Sequence, residues 1–358
     1  MEQLHTEAFQ LSPQQRQRWQ SDLPAATLTL DVRGALDQHA LQLHLSGLVQ
    51  RHEALRLQLC PSPGLRVPLQ RIRPEATDLL LDCQALASDH HRLHLQLPAL
   101  GADRGTLLRL AAALAAEMPE ADSDDEMSYT QYSTWLYEMQ AEDDAELGRR
   151  FWREQALDEQ SHSELLYREQ RSRTATDIRV AQLDGAPELS AMLDDVCRSI
   201  HVSPSEVLLT AWCALLQRLS SGDAPVLTMN WVHDCRDDYE ELSGCWGLFA
   251  KALPLAWRLP QESRFSEALD GLQRMCDRAR EWQEYCAIVS DQAPSISRYA
   301  FEWGGVMPHA LPLANSPGSR LTVLELNAPT QAFELQLTPE VFTGENGATH
   351  YQIGRAHV

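Results

Sequence analysis

The stretch between residues 92 and 114 constrains the fold more than any other part of the chain. Apolar and polar residues alternate strictly from Arg92 to Pro98, which predicts a β-strand with one buried face. Asp103 then stands where a helix N-cap is expected, ahead of apolar residues at helical spacing up to Leu114. A strand that turns directly into a helix indicates a sheet with a helix packed on it.

The second half of the chain has a similar order of strands and helices. Strands are predicted there at 178–183, 226–232 and 249–257, and helices at 188–200, 205–219 and 265–285. Residues 157–177 are polar and irregular, so we interpret them as an inter-lobe linker. The predicted fold class is therefore α/β, with one lobe in residues 1–156 and a second in residues 178–352.

Charge and cysteine usage exclude several kinds of partner. The net charge is -21, and nucleic acids and anionic membranes bind clustered Lys and Arg, so neither is a predicted partner. No apolar run approaches the roughly 20 residues that span a bilayer, and the first residues do not resemble a secretory signal. The eight cysteines form no CxxC pair, so we interpret them as reduced thiols of a cytoplasmic protein.

Seven short segments carry the information about family. They are residues 11–19, 51–56, 98–104, 129–135, 246–255, 282–285 and 299–303. The clearest read RHEALR, YTQYSTW and WGLFAKALPL, whereas the segments at 98–104 and 282–285 are worn. In order and spacing they resemble the core motifs of condensation domains in nonribosomal peptide synthetases. Each segment alone is a weak signal, but together they cover almost the whole chain.

The resemblance implies a structure and a set of partners. It implies two lobes similar to chloramphenicol acetyltransferase, arranged as a V-shaped pseudodimer with a central tunnel. Peptidyl or acyl carrier proteins would deliver phosphopantetheine-linked substrates for amide bond formation, with no bound cofactor. An adenylation domain would be a neighbour, and the domain would act as a monomeric part of a multienzyme.

The third segment departs from the family pattern. Where the family has His-His-x-x-x-Asp-Gly, this chain has Pro98-Ala99, then Asp103-Arg104. An amine that attacks a thioester must lose a proton, which a positioned histidine can accept. Pro98 and Ala99 have no such group, and losing one typically lowers the rate about 10²–10⁴-fold. No catalytic residue is therefore assigned, although Arg104, Thr106 or water could assist a proximity mechanism.

Other family positions predict structural or substrate-side roles. By the resemblance, Asp103 pairs with Arg51 or Arg56 of the second segment, where His52 and Glu53 also stand; it can equally be a simple N-cap. Arg104 would lie beside the tunnel mouth or fold back onto the surface. The tunnel-side residues would be Trp246, Gly247, Phe249 and Lys251, the last at a position where the family has Asn. Residues 234–238 are interpreted as a surface loop.

Histidines elsewhere are weak substitutes for the missing pair. His90 and His91 begin the strand, roughly 20 Å or more from its end at ~3.3 Å per residue. His94 alternates onto the face of Pro98, where packing is the more ordinary role. A metal site formed by the three is not predicted, because no carboxylate or thiol completes it at useful spacing.

The ends of the chain suggest a fragment. About ten residues precede the first segment, so either a donor carrier is expected in trans or the domain stands at the front of a loading-type module. Residues 353–358, IGRAHV, read like a translated sequencing adapter, and the second lobe is expected to be truncated.

Two hypotheses for function remain open. The first is a catalytically degenerate condensation domain that binds a carrier protein, a neighbouring domain or a tailoring enzyme, or acts as a gatekeeper. The second is an active amide-forming acyltransferase that relies on proximity and a non-histidine group.

Overall fold

The computed structural model describes residues 8–21, 23–74, 79–98, 100–117, 127–155, 182–220, 226–258, 262–288, 298–331, 333–343 and 349–354. The helices are α1 (Pro13–Gln20), α2 (Gln38–Arg51), α3 (Arg104–Ala115), α4 (Tyr129–Ala141), α5 (Ala145–Glu154), α6 (Pro187–Ile200), α7 (Pro204–Leu219) and α8 (Phe265–Glu281). Within these described ranges, four short 3-10 helices are Glu53–Arg56, Cys235–Asp238, Glu240–Leu242 and Gln283–Ile288.

The strands alternate with these helices through both halves of the chain. They are β1 (Ala8–Gln10), β2 (Ala26–Arg33), β3 (Leu57–Cys60), β4 (Leu69–Ile72), β5 (Leu80–Ala87), β6 (His90–Leu97), β7 (Gln182–Asp184), β8 (Leu227–Asp234), β9 (Ala250–Trp257), β10 (Tyr299–Glu302), β11 (Gly305–Val306), β12 (Leu311–Pro312), β13 (Arg320–Asn327), β14 (Leu335–Leu337), β15 (Pro339–Thr343) and β16 (Thr349–Gly354). The predicted α/β class is confirmed.

Two compact units divide the chain, and each is discontinuous in sequence. The first comprises Met1–Ala141, Asp234–Ala250 and Pro308–Gln331. The second comprises Glu142–His233, Lys251–Met307 and Ala332–Val358. The sequence predicts two contiguous lobes, 1–156 and 178–352. In the structure, Asp234–Ala250 and Pro308–Gln331 belong instead to the first unit. The predicted linker at 157–177 lies outside the described residues, as do residues 355–358 of the suspected tail.

The first unit is built on a five-stranded sheet of order β12-β13-β2-β6-β5. Its central pair is antiparallel, with Leu30 opposite Leu93 and Leu28 opposite Leu95. These leucines are fully buried, because alternation puts them on the face that α3 covers. The strand predicted from the alternation at 92–98 is thereby confirmed. A smaller sheet of order β1-β4-β3 completes the unit.

The second unit contains two four-stranded sheets, β14-β10-β8-β9 and β11-β15-β16-β7. Strand β10 runs parallel to both β8 and β14. Helix α7 packs on one face of this sheet, where Cys213 Sγ lies 3.0 Å from Met229 Sδ. Of the described helices, none is by itself long and apolar enough to cross a bilayer, and only α6 and α7 taken together, bent by 107°, would meet that test.

Candidate functional site

The corner between β6 and α3 is held by close backbone contacts. Pro98 is buried, and its carbonyl accepts a hydrogen bond from Gly101 N at 3.0 Å, which closes a tight turn. A Cβ on Gly101 would lie 2.2 Å from the carbonyl oxygen of Ala54. Glycine is therefore required where the third motif passes the second. Ala99, at the position of the family's second histidine, lies outside the described residues.

Asp103 is the N-cap of α3, as its sequence position predicted, but it does much more than cap. Its Oδ1 accepts from Thr106 N at 2.8 Å. Its Oδ2 accepts from Phe249 N at 2.7 Å and from Ala250 N at 3.0 Å. The residue is 0% exposed, so every lone pair has to be satisfied inside the protein.

The partner of the Asp103 carboxylate is Arg236. The guanidinium donates two parallel hydrogen bonds, Nη1 to Oδ2 at 2.9 Å and Nη2 to Oδ1 at 3.0 Å. This bidentate geometry gives the strongest form of a carboxylate–guanidinium pair. Arg236 also donates to four other residues of the first unit. The acceptors are Asp234 Oδ1 and Oδ2 (both 2.9 Å), the carbonyls of Cys245 (2.9 Å) and Gly247 (3.0 Å), and Thr106 Oγ1 (2.8 Å).

Electrostatics keep both members of this pair charged. Burial works against the charged forms, yet the charge and hydrogen bonds of Arg236 lower the pKa of Asp103. Burial is likewise outweighed at Arg236, whose pKa is raised by Asp103 and Asp234. The Arg236 guanidinium carbon also lies 4.2 Å from the centre of the Phe249 ring. Asp103 therefore stays ionised and Arg236 stays protonated near neutral pH, so the pair has a structural role and does not exchange protons.

The prediction that Arg51 or Arg56 pairs with Asp103 was wrong. Arg56 instead donates to the carbonyls of Val49 and Gln50, in the last turn of α2, and to that of Arg73. The carbonyls of Val49 and Gln50 lie in the last turn of α2, where no later N–H of the helix reaches them, and Arg73 lies just past the end of β4. The Arg56 guanidinium supplies the missing donor to all three.

The surface-loop interpretation of residues 234–238 holds for Asp237 and Asp238, which are exposed, but not for the two residues before them. Cys235 is fully buried, and Arg236 is only 3% exposed. The segment folds as a short 3-10 helix in which Asp234 Oδ1 accepts from Arg236 N at 3.1 Å. The burial of Arg236 follows from its pairing with Asp103, since a desolvated carboxylate needs a desolvated cation.

Neither candidate for a substitute catalyst is available as a solvent-facing group. The Thr106 hydroxyl donates to Gly247 O at 2.7 Å and accepts from Gly247 N at 2.9 Å. It also accepts from Arg236, so its bonding capacity is used within the first unit. Arg104 is 6% exposed, and the expectation that it folds onto the surface is therefore wrong. Arg104 is the first residue of α3, directly after the fully buried N-cap Asp103, and it is buried with it.

The second motif has a bracing role in the first unit. Glu53 Oε1 accepts from the backbone N of Thr130 at 2.7 Å and from its Oγ1 at 2.9 Å. The ring of His52 stacks on Trp246, with centroids 4.0 Å apart and planes 8° apart. The second, fourth and fifth motifs are thus fastened together around the Asp103 network.

Lys251 lies in the second unit and forms a different buried pair. Its Nζ donates to Glu284 Oε1 at 3.1 Å and to Gln283 Oε1 at 3.3 Å. Lys251 is 7% exposed, and Glu284 is buried with it. The lysine that replaces the family's asparagine is therefore matched by a carboxylate of the worn sixth motif, which the sequence did not suggest.

The strand histidines do not form a metal site or a catalytic pair. His90 Nε2 lies 2.6 Å from Asp31 Oδ1, and His94 Nδ1 lies 3.2 Å from Thr29 Oγ1 on the exposed face. His91 is buried, because it shares the leucine face of β6. Within the described residues, no group of three or more histidines, cysteines or carboxylates could hold a metal ion.

Comparison with known proteins decides the family. The model described as Condensation domain matches residues 110–288, which is half of the 358-residue chain. The chain belongs to the condensation domain family. The resemblance found in the seven segments is therefore confirmed. Among curated protein sequences, no significant match is found.

Solved structures share the fold of this condensation domain at low sequence identity. The first condensation domain of the CDA synthetase has a TM-score of 0.79 at 13% identity, over 98% of this chain and 91% of that chain. The X-domain from teicoplanin biosynthesis has a TM-score of 0.74 at 17% identity, over 98% and 90%. The X-domain in its complex with OxyB has a TM-score of 0.73 at 16% identity, over 98% and 89%.

Proposed function

We propose that this condensation domain acts in a nonribosomal peptide synthetase as a binding module for a carrier protein, rather than as a catalyst of amide formation. It would receive a carrier-borne phosphopantetheine chain in the cytoplasm without holding a cofactor of its own. The observation that carries the proposal is a complete scaffold around an altered third motif. Pro98 and Ala99 supply no side-chain proton acceptor, whereas Asp103 binds Arg236 and the backbone of Phe249 and so holds the corner in shape.

The hydrogen bonds that the neighbouring groups already make support this proposal. A substitute base has to reach the reacting amine and be free to take its proton. The Thr106 hydroxyl is occupied by Gly247 and Arg236, and a guanidinium such as that of Arg104 has no acceptor. A rigid, fully bonded frame can still bind a partner, because binding depends on surface shape and charge and not on a titrating group.

One of the structural neighbours offers a precedent for a domain of this fold that binds another protein. One of them, the teicoplanin X-domain, was solved as a complex with OxyB, so a protein of this fold does hold a separate protein. The low identity carries no partner over to this chain. A carrier protein, rather than a tailoring enzyme, is the partner that the family membership favours.

Carrier binding tests the proposal. A purified peptidyl carrier protein with its phosphopantetheine arm attached should bind the domain with a Kd of roughly 1–100 μM, in the range of transient complexes. Biolayer interferometry with the domain immobilised measures this Kd, and the same carrier without its arm is the control. The apo carrier should bind more weakly than the holo form. If none of a panel of holo carriers binds above the signal of an unrelated protein of similar charge, the proposal is wrong.

A further inference from the structure

A cleft lies along helix α4 in the first unit. Its volume is about 290 Å³, and it is lined by Phe9, Thr130, Gln131, Thr134, Trp135 and Glu138. Five of these residues belong to α4, in two adjacent rows with the i, i+4 spacing that puts side chains on one side of a helix. Over residues 130–138 the cleft is roughly 12 Å long, at ~1.5 Å per residue. Phe9 comes from β1, which packs against α4.

The aromatic wall of the cleft is held in place by its neighbours. The ring centroid of Trp135 lies 5.4 Å from that of Tyr239, with the planes 77° apart, and 5.9 Å from that of Tyr132. Ser133 fastens α4 to β1, because its hydroxyl donates to Gln10 O at 2.9 Å. The Trp135 side chain is nevertheless only half-buried. It is therefore a preordered platform, and binding to it does not require a mobile side chain to be fixed first.

The polar residues of the cleft are acidic or neutral. Glu138 is exposed, and among the described residues no hydrogen bond or ion pair to its carboxylate is found. Thr130 is the buried lining residue, and Glu53 Oε1 accepts from its backbone N and its hydroxyl, so a second carboxylate lies against the cleft. In the described part of the chain, no lysine or arginine lines it. A cleft of this kind, in a chain of net charge -21, attracts a cation.

An aromatic ring beside an exposed carboxylate suits one cation in particular, the guanidinium group. Guanidinium is planar, so it stacks on a tryptophan ring while it donates two parallel hydrogen bonds to a carboxylate. Trp135 and Glu138 are three residues apart on α4, so their side chains are neighbours on the helix surface. A volume of about 290 Å³ is small for a ligand-binding pocket but admits one long side chain. We propose that this cleft binds the side chain of an arginine on the surface of a partner protein.

Two features favour an arginine of a protein over a small free cation. Gln131, Thr134 and Glu138 are exposed, so the cleft is open along the helix, whereas small-molecule sites bury most of their ligand. Gln131 Oε1 accepts from Ser128 N at 2.8 Å, which leaves its amide nitrogen as the donor for a peptide carbonyl next to the arginine. Tryptophan and arginine are also enriched in the hot spots of protein interfaces. The inference goes beyond the proposed function and does not depend on carrier binding.

Peptide probes and fluorine NMR test the inference. The domain is labelled with 5-fluorotryptophan, and the signal that is missing from Trp135→Phe is assigned to Trp135. A short peptide with one arginine between glycines should shift this signal with a Kd of roughly 1 mM, and the same peptide with citrulline, the uncharged isostere, should bind at least about fivefold more weakly. Glu138→Gln should weaken binding of the arginine peptide by a similar factor. Asp82→Asn, which removes an exposed carboxylate of β5, is the matched control and should leave the Kd unchanged.

The variants are checked for folding by thermal melts. Glu138→Gln changes an exposed side chain and should keep the Tm of the wild type, and Trp135→Tyr assigns the signal if Trp135→Phe does not fold. No shift of the Trp135 signal by the arginine peptide, an equal Kd for the citrulline peptide, or an unchanged Kd in Glu138→Gln would each overturn the inference. Methylguanidinium that binds as tightly as the arginine peptide would also overturn it, because the cleft would then be a site for a small cation and not for a protein.

Discussion

Replacing Asp103 by alanine is expected to lower the free energy of unfolding by about 3–5 kcal/mol, the usual cost of removing one partner of a buried ion pair. The variant leaves the guanidinium of Arg236 fully buried without its bidentate acceptor. It also leaves the backbone N–H groups of Phe249 and Ala250 without an acceptor. Urea denaturation followed by fluorescence measures the change.

A double-mutant cycle separates the pair from its surroundings. Arg236→Met alone should cost about as much as Asp103→Ala, because it leaves a buried carboxylate uncompensated. The double variant should cost clearly less than the sum of the two, since neither charge is then stranded. Asp234→Asn is the control, as the Asp234 side chain is 30% exposed and its loss should cost about 1 kcal/mol. Additive effects in the cycle would show that the pair does not act as a unit.

The same pair predicts an acid dependence. Because the folded pKa of Asp103 is lowered, its contribution is present above the unfolded value of about 3.9 and is lost as the pH falls through the folded value. The wild type should therefore lose more stability below pH 4 than Asp103→Asn, which cannot titrate there.

Gly247→Ala is expected to be the other strongly destabilising change, by about 3 kcal/mol or more. The residue has a φ of +152°, which side chains rarely adopt, and a Cβ there would lie 2.0 Å from Tyr129 Cδ2. Backbone strain and overpacking each cost of the order of 1–3 kcal/mol. The Tyr129 hydroxyl cannot easily move, because it donates to Leu248 O at 2.8 Å.

The glycine prediction has a matched comparison within the chain. Gly271 lies in the interior of α8, where an added Cβ would meet open space, and alanine there should stabilise the helix by up to about 1 kcal/mol. Differential scanning calorimetry should therefore show a lower Tm for Gly247→Ala and a higher Tm for Gly271→Ala than for the wild type. Equal Tm values for Gly247→Ala and the wild type would mean that the Gly247 backbone is not constrained as described.

Local features of the fold were predictable because neighbouring residues determine them. The leucine alternation in β6 and the N-cap at Asp103 each depend on a few consecutive residues. The capping box of α1, in which Ser12 and Gln15 bond each other's backbone, is another local signal. The replacement of the family's two histidines by Pro98 and Ala99 could also be read from the sequence, because Asp103 keeps its spacing from them.

Long-range partners were not predictable from one sequence. Arg236 is 133 residues from Asp103, and nothing in its own segment distinguishes it from a surface arginine. The match between Lys251 and Glu284 likewise spans 33 residues, across a strand and a helix. The discontinuous units have the same origin, because residues 234–250 and 308–331 join the first unit through tertiary contacts alone.

Single-turnover amide formation tests the central claim most directly. The domain is mixed with an acyl-loaded donor carrier and an aminoacyl-loaded acceptor carrier, and the product is followed by mass spectrometry. The wild type is predicted to match the rate of the two carriers alone, and Ala99→His, which restores an imidazole, to exceed it by up to about 10²–10⁴-fold. A wild-type rate far above that of the carriers alone would contradict the account, because catalysis would then proceed without the histidine.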